Sequence, residues 1–498
     1  MMRTLRYRIT TLGCRVNHAE AREMESLLLD RGLVKAAARG LCDVEVIHTC
    51  SVTNTAAAKS RQAVRRALRR RFDSGLPRAD LPGPVPGRGA FLPTIIVTGC
   101  YGSTNPDEAA QLAGGPHHVI HHYDHDGSAM TDRFARRLDE WLAGTRTHQR
   151  LRSGPPTSCH ETILPLPLVE PHRRAGAHVR AELKIQDGCD AHCTFCIIPK
   201  VRRTLRSKTI RDAVDEARQL VDLGHREIVL TGIFIGAYGH ETGLRRKQAE
   251  PGSGPLADLL DAVAGVRGLV RLRISSMEPG DVSEPLLDAM VANQPVVAPH
   301  LHLPLQSGSD AILKRMNRQY RVGDYLEMID QATAALTTPD RLPPAITTDI
   351  ICGFPGETDQ DFEKTLEVVR RVGYLHMHVF PYSAKRGTAA ARWTDRFVPS
   401  AVVKARVRCL IDLENDPSAG MSIRYRRRLL GRTVRVILEQ PSRDEPAIMT
   451  GRCDQYALIH LRTRRPRGTL LHARITKVTP TRTIGETIPA SIGLPVLR

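Results

Sequence analysis

The stretch DGCDAHCTFCIIPK, residues 187–200, is the part of this sequence best equipped for chemistry. Cys189, Cys193 and Cys196 stand in C-x3-C-x2-C spacing just after the apolar run LKIQ. Three thiolates so close together can hold three irons of a cubane 4Fe–4S cluster and leave the fourth iron open. An open iron can bind a molecule that reacts, whereas four protein ligands would make a closed site that only carries electrons. Zinc is the competing metal, yet structural zinc sites complete four ligands and this array supplies three. His192 lies inside the loop and cannot easily turn inward together with both neighbours. The bland alternative, three core cysteines placed by chance, fits this spacing poorly.

A second set of cysteines is spread along the first 120 residues. RYRITTLGC ends in Cys14, DVEVIHTC in Cys50 and TIIVTGC in Cys100. Each is a β-branched run that stops at a cysteine and gives way to a helical pattern. Strand alternating with helix implies a parallel α/β sheet, and ligands of such sheets gather beyond the carboxyl ends of the strands. The three cysteines are therefore predicted to converge on one edge as a second iron–sulfur site. The competing reading is that a cysteine at a strand end is just a small buried hydrophobe.

The elements that must position these groups follow from periodicity. In the first region a helix is expected over HAEAREMESLLLDRG with its stop at Gly32, and a basic helix after an N-cap at Thr53 or Asn54. The Pro/Gly-rich stretch between Arg71 and Thr94 reads as an inserted surface loop. HHYDHDG at 121–127 reads as a solvent-exposed polar run, not a metal site, and TDRFARRLDEWLAG as an amphipathic helix. A Pro-rich linker runs on to about residue 172, with Cys159 in it incidental. From about 178 to 385 strand candidates AELKIQ, REIVLTG, VRLRISS, HLHLPLQ, AITTDIICG and LHMHVFPYS alternate with helical patterns, among them helices that stop at Gly224 and Gly373. Six such units imply an open, partial barrel, and the cysteine triad falls in the loop after its first strand, at the carboxyl-terminal mouth. The segment TGLRRKQAEPGSG from residue 242 reads as an exposed loop. After a long helix, VVKARVRCLIDLEND, the runs RTVRVILEQ, YALIHLRT, GTLLHARITKVTP and ETIPASIG predict a small β-barrel. Cys42, Cys352, Cys409 and Cys453 read as single core thiols. The predicted fold is α/β: an N-terminal parallel α/β domain over 1–150, a central partial (β/α)6 barrel over 175–412 and an all-β barrel over 422–490.

The strand ends around the predicted mouth carry further candidates. They are Thr231 and Gly232 in TGIFIGAYG, Ser275 and Glu278 in SSMEP, Gln306 and Ser307 in LQSGSD, and Asp349 and Gly353 in DIICGFPGET. GFPG alone could be a turn; four polar strand ends on one rim carry more weight.

At 498 residues the chain should hold about three domains. Hydrophobic content of 41% and charged content of 25% are ordinary for a soluble globular protein. No run of about 18 apolar residues predicts a membrane span, and the start has neither an h-region nor a cleavage site, so a cytoplasmic location is expected. The eleven cysteines then read as metal ligands or buried thiols instead of a disulfide framework. A formal charge of +19 favours a polyanionic partner. Aromatic content of 4% argues against a long single-strand stacking platform. The basic residues cluster in KSRQAVRRALRRR (59–71), RYRRRLLGR (424–432) and RTRRPR (462–467). Any one cluster could be a solvated face, but three without balancing acids predict a phosphate-binding surface, two of them on the small barrel.

The C-x3-C-x2-C array closely resembles the motif of the radical S-adenosylmethionine superfamily. Together with LGCRVNHAE, HTCSVTN, VTGCYG, RISSMEP, HLHLPLQSGSD, ILKRMNR and HVFPYSAKRGTAA, it is similar to the methylthiotransferase family over nearly the whole chain, including a C-terminal TRAM-type barrel. GCRVN and HVFPYS resemble the branch acting on N6-threonylcarbamoyladenosine beside the tRNA anticodon, at position 37. That resemblance implies a cluster on Cys189, Cys193 and Cys196 that splits S-adenosylmethionine to a 5′-deoxyadenosyl radical, with the eight strand-end residues as candidate contacts for it. It also implies a second 4Fe–4S cluster on Cys14, Cys50 and Cys100 that provides or anchors the sulfur. The product would be a 2-methylthio group on the adenine ring, with two molecules of S-adenosylmethionine consumed. The partners implied are tRNA, an electron donor such as flavodoxin or ferredoxin, and a sulfur source, with no membrane. His48 departs from the family pattern, standing where Asn is usual before the second cysteine, and the loop near residue 80 is longer than typical. The alternatives within this chemistry are isopentenyladenosine in tRNA and an aspartate of a ribosomal protein. Outside it stands a non-catalytic RNA-binding iron–sulfur sensor.

Overall fold

The computed structural model describes residues 4–37, 40, 42–73, 94–122, 129–150, 179–240, 254–338 and 341–488. The inserted loop near residue 80, the linker with Cys159, the hydrophilic loop from 242 and most of ETIPASIG fall outside the described residues. Two compact units result, one of Met1–Val169 with Ile197–Thr204 and the other of Glu170–Cys196 with Leu205–Arg498.

The first unit is a parallel sheet of β1 (Arg6–Thr11), β2 (Val34–Lys35), β3 (Val44–Thr49), β4 (Thr94–Gly99) and β5 (Val119–Ile120), in the order β2-β1-β3-β4-β5. Helices α1 (Arg15–Asp30) and α5 (Met130–Arg150) cover one face, where Tyr7, Met24, Leu28, Val46, Phe134 and Leu138 pack together. Helices α2 (Asn54–Asp73) and α4 (Pro106–Ala113) cover the other, against Ile47, Val64, Ile95 and Val97. Because both faces are covered, every residue of β3 is buried, and its polar members Glu45 and His48 are held by Arg70 and Glu20. Thr53 is the cap of α2, its hydroxyl accepting the Ala56 N–H at 3.1 Å. The short helix α3 (Cys100–Thr104) starts on the third cysteine itself.

In the second unit six parallel strands carry the barrel: β6 (Arg180–Asp187), β8 (Glu227–Gly232), β9 (Arg271–Ile274), β10 (His300–His302), β11 (Ala345–Cys352) and β12 (His376–Pro381). β9 and β10 meet only through isolated bridges, such as Ser276 to His302. A two-residue strand, β7 (Arg206–Ser207), runs antiparallel to β6. Helices α7 (Ile210–Asp222) and α12 (Asp359–Val372) stop where expected, Gly224 and Gly373 both taking positive φ. Along β11, Ile346, Ile350 and Cys352 join the helix-covered core. By the two-residue repeat of a strand, Thr347 and Asp349 then face the inside of the barrel.

The C-terminal strands β13 (Thr433–Pro441), β14 (Ile448–Cys453), β15 (Leu458–Arg462), β16 (Leu470–Val478) and β17 (Thr483–Thr487) close into a barrel in the order β13-β14-β15-β17-β16. The fold is thus α/β with a closed all-β barrel at its end, as the sequence predicts. β14 is a strand that sequence patterning misses. Gly451 lies in it because a Cβ there would come 2.2 Å from the Ile437 carbonyl oxygen, and a glycine in a strand reads as a break.

The small barrel is docked on the amino-terminal ends of the central strands. Arg271 and Arg273 are fully buried and share Glu227, Arg271 Nη1 at 3.0 Å and Arg273 Nε at 3.0 Å. The same guanidiniums donate to carbonyls of the small barrel, Arg273 Nη2 to Cys453 at 2.8 Å and Arg271 Nη1 to Arg452 at 3.0 Å. Tyr456, at φ 66, stacks on His300 with ring centroids 4.4 Å apart, and Arg180, Arg273 and Arg452 surround its ring.

Two minor expectations change. Cys409 is exposed on α13 (Ser400–Asn415) and is no core thiol, whereas Cys42, Cys352 and Cys453 are buried. The cluster RYRRR lies on the short helix α14 (Met421–Arg427) that precedes the barrel, and its Arg426 is a structural group, donating to the Thr479 and Pro480 carbonyls at 2.9 and 2.6 Å.

Candidate metal centres and barrel mouth

In the first unit, Cys14, Cys50 and Cys100 leave three neighbouring strands at their carboxyl ends. Thr49 pairs with Gly99 in register, so Cys50 and Cys100 follow side by side. Gly13 and Gly99 make the approach possible, at φ +114 and +96: a Cβ on Gly13 would meet Cys50 Cβ at 2.6 Å, and one on Gly99 the Thr49 carbonyl oxygen at 2.3 Å. Asn17 ties two of the strand ends together, donating to the Leu12 and Thr49 carbonyls at 2.9 and 3.0 Å while Cys14 Sγ donates to its Oδ1 at 3.3 Å. Burial pushes the Cys100 thiol up to about 12; Arg202 opposes this, and Cys50 and Cys14 add to it. A buried thiol held up in this way, with two further sulfurs beside it, is suited to a cation, which deprotonates it and neutralises the charge.

Behind the cysteines, ligand atoms of Glu20, His48 and His122 lie within 4.8 Å of one another. A guanidinium already occupies that cluster. Arg202 Nη1 and Nη2 reach the two oxygens of Glu20 at 2.7 and 2.9 Å, and Nη2 lies 3.0 Å from His122 Nε2. His48 Nε2 is 3.0 Å from Glu20 Oε2. This is a buried ion network, and His48 is one of its members. It also corrects the expectation for HHYDHDG: the His122 side chain is buried, drawn in by Arg202, while residues 123–127 lie outside the described ones.

In the second unit the triad occupies the loop that follows β6. Gln186, buried at the end of β6, shapes its entry: its amide donates to the Asp187 and Gly188 carbonyls at 2.8 and 2.9 Å, and its Oε1 accepts the Phe234 N–H at 2.7 Å. Gly188 turns the chain at φ +83. Burial pushes the Cys189 thiol up to about 12, with Cys196, Cys193 and Glu278 adding to it. Phe195, between the second and third cysteines, packs edge-on to Phe354, centroids 6.3 Å apart.

The strand-end candidates divide by what they touch. Ser275 Oγ and Gln306 Oε1 are buried without a hydrogen-bond partner, and Gln306 holds a left-handed backbone at φ 61. Asp349 is partly exposed, 3.3 Å from His302 Nε2, and Glu278 Oε1 is 3.1 Å from Arg318 Nη1. Thr231 is buried at the end of β8, and a Cβ on Gly232 would meet the Gln186 side chain at 3.0 Å. Ser307 is fully buried and its hydroxyl accepts the Ser309 N–H at 3.2 Å. Gly353, at φ +75, leaves room for Val403 of α13, which a Cβ would approach to 2.3 Å.

The sequence profile of the Radical SAM superfamily matches residues 183–369, and that of the Uncharacterized protein family UPF0004 matches residues 6–120. The threonylcarbamoyladenosine tRNA methylthiotransferase MtaB of Bacillus subtilis is 34% identical over 84% of this chain and 82% of its own. The tRNA-2-methylthio-N(6)-dimethylallyladenosine synthase of Nocardia farcinica is 32% identical over 93% of this chain and 84% of its own. Among solved structures, the radical S-adenosylmethionine methyltransferase TsrM from Kitasatospora setae has a TM-score of 0.46 at 11% identity, covering 76% of this chain and 73% of that one. The chain belongs to the radical SAM methylthiotransferase family.

For a methylthiotransferase of this family, the radical SAM domain brings a 4Fe–4S cluster and S-adenosylmethionine. The chain's own donors suit both: three thiols in one loop for the cluster, and unpartnered Ser275 and Gln306 for a polar ligand. Sequence reading of the methylthiotransferase motifs missed Gln186, Arg318, His302 and His378. All four were in view, in LKIQ, ILKRMNR, HLHLPLQ and HVFPYSAKRGTAA, but nothing in their spacing says which atoms they meet.

Proposed function

We propose that this methylthiotransferase acts on tRNA, placing sulfur and a methyl group at C2 of N6-threonylcarbamoyladenosine at position 37, beside the anticodon. The observation that carries the choice of nucleoside is the inner wall of the barrel. His302, Asp349 and His378 lie on adjoining strands with their polar atoms within 4.8 Å of one another. Burial holds His378 below the usual imidazole range, with His376 and His302 adding to the effect, so near neutral pH its ring is an uncharged donor and acceptor. A threonylcarbamoyl group, with its hydroxyl and carbamoyl N–H, can satisfy such a wall by donating to Asp349 and to the rings. An isopentenyl group cannot, and it would cover these polar groups with hydrocarbon and add no hydrogen bond to them. The relatives named for the threonylcarbamoyl substrate support the same choice, although relatives named for the dimethylallyl substrate match almost as well.

In this reading Cys189, Cys193 and Cys196 hold the cluster of the radical SAM domain, and Cys14, Cys50 and Cys100 hold a second 4Fe–4S cluster that provides or anchors the sulfur. When bound, the first cluster and S-adenosylmethionine supply a carbon-centred radical able to take hydrogen where no side-chain base could. The chain's part is to hold and orient. Ser275, Gln306, Glu278 and Asp349 are the contacts we assign to S-adenosylmethionine at the mouth. Thr231, Gly232, Ser307 and Gly353 shape the strand ends that carry them. The exposed arginines of α2 and of the small barrel would hold the tRNA phosphates. A low-potential donor such as flavodoxin or ferredoxin and a sulfur source would complete the cycle.

The test is nucleoside mass spectrometry of tRNA from a deletion strain, complemented with wild type or with variants. The expected result is loss of 2-methylthio-N6-threonylcarbamoyladenosine and its restoration by wild type. Cys193→Ala should abolish cleavage of S-adenosylmethionine in the reduced protein. Cys50→Ala should leave cleavage measurable while stopping sulfur insertion. Loss of the 2-methylthio isopentenyl nucleoside instead would overturn the choice of substrate, and unchanged product with Cys50→Ala would overturn the second cluster.

A further inference from the structure

The segment that follows the short helix α10 (Asp310–Arg315) is bound to the cysteine loop along its length. Thr194, between the second and third cysteines, donates its N–H to the Met316 carbonyl at 3.1 Å and its hydroxyl to the Arg315 carbonyl at 2.8 Å. Asn317 donates its amide to the His192 carbonyl at 2.9 Å, and it does so from a left-handed backbone at φ 58 that few residues other than glycine adopt. Met316 is fully buried beside Phe354. Arg318, which follows Asn317, turns its side chain onto the site. Its Nη1 lies 3.3 Å from Cys193 Sγ and 3.1 Å from Glu278 Oε1, and its guanidinium carbon is 5.0 Å from the centre of the Tyr320 ring. Arg318 is 8% exposed, so its charge acts on the sulfur with little screening by water.

We propose that residues Arg315–Arg318 are a clamp for the cysteine loop, and that Arg318 is a positioning residue whose fixed charge raises the reduction potential of the cluster held there. The inference rests on assigning that cluster to Cys189, Cys193 and Cys196. Its physical basis is simple. A cluster on three thiolates takes up one electron from a low-potential reductant and gains one negative charge, with no bond made or broken. A guanidinium donating to a ligand sulfur stabilises the more negative state, and hydrogen bonds and net charge at the sulfurs are known levers on cluster potential. Glu278 sets the size of the effect, since its carboxylate shares the same nitrogen and offsets part of the charge.

The test is an EPR-monitored dithionite titration of the reconstituted full chain, following the reduced-cluster signal that changes when S-adenosylmethionine is added. Arg318→Gln should lower the midpoint potential, with about tenfold less reduced cluster at a fixed potential, which for one electron is about 59 mV. Glu278→Gln should move it the opposite way, and Arg318→Lys should stay close to wild type. Wild-type potentials in both Gln variants would overturn the proposal. If Arg318→Gln fails to hold iron, the sign of the Glu278→Gln shift decides, and no upward shift there overturns it. A wild-type chain without any signal responsive to S-adenosylmethionine would instead refute the cluster assignment beneath it.

Discussion

Glu227 faces three guanidiniums, those of Arg180, Arg271 and Arg273, from a position 2% exposed. Their charges hold its carboxyl well below the usual carboxylate range despite its burial. Glu227→Gln would keep the shape and remove the charge, leaving buried cations uncompensated. The expected loss is about 3–5 kcal/mol in urea unfolding, the scale for breaking a buried ion pair from one side. His376 gives a pH-dependent counterpart. Its hydrogen bond to Glu414, Nδ1 to Oε1 at 2.6 Å, raises its pKa above the ordinary 6.5. A histidine whose folded pKa is raised contributes stability that is complete below about pH 6.5 and fades as pH rises through the folded value. The wild type should therefore lose stability relative to His376→Gln between pH 6.5 and the raised pKa; parallel curves from thermal melts would refute this. At this scale the cysteines were legible because residue type and spacing alone carry their chemistry. Arg318 and Arg202 were not. Their partners lie 125 and 182 positions away, at Cys193 and Glu20, and no local pattern encodes such pairs.

Among elements, the turns after β1 and β4 decide whether three sulfurs can meet. Gly99→Ala would put a Cβ against backbone, 2.3 Å from the Thr49 carbonyl oxygen, where no side chain can give way. The expected outcome is iron content reduced to that of a single cluster. Gly32→Ala is the control: it also has positive φ but meets nothing within 4 Å, so about 1–2 kcal/mol of left-handed strain is its whole cost. Equal iron in the two variants would count against the first-unit cluster. Helix stops at Gly32, Gly224 and Gly373 were readable because left-handed glycines end helices by a local rule. The short strands Val34–Lys35 and Val119–Ile120 were not, since two residues carry no periodicity. HLHLPLQ shows the same limit: only His300–His302 is strand, and further pairing with β11 is a single bridge from Gln306 to Ile350, made from a left-handed backbone.

For the whole molecule, a formal charge of +19 pointed to a polyanion, but the clusters that make it up differ in what they can do. On α2, Arg65, Arg66 and Arg69 are exposed, while Arg61 pairs with Glu108 and Arg70 with Glu45. On the small barrel Arg462, Arg464 and Arg465 are exposed, whereas Arg426 is taken up by the fold. Changing Arg65, Arg66 and Arg69 together to Gln should flatten the dependence of tRNA affinity on salt by about one unit of log slope for each phosphate that is no longer neutralised. An unchanged slope would place the phosphates elsewhere. Within the second unit, the Tyr456 turn and the buried arginines couple the small barrel to the central one. A chain shortened to end near residue 430 would bare Arg271, Arg273 and Glu227 and strip a ring from His300, so the shortened protein should melt at a lower temperature and precipitate. Calorimetry of the intact chain should accordingly show no separate early peak for the C-terminal barrel: the two barrels melt together, and neither can be trimmed without weakening the other.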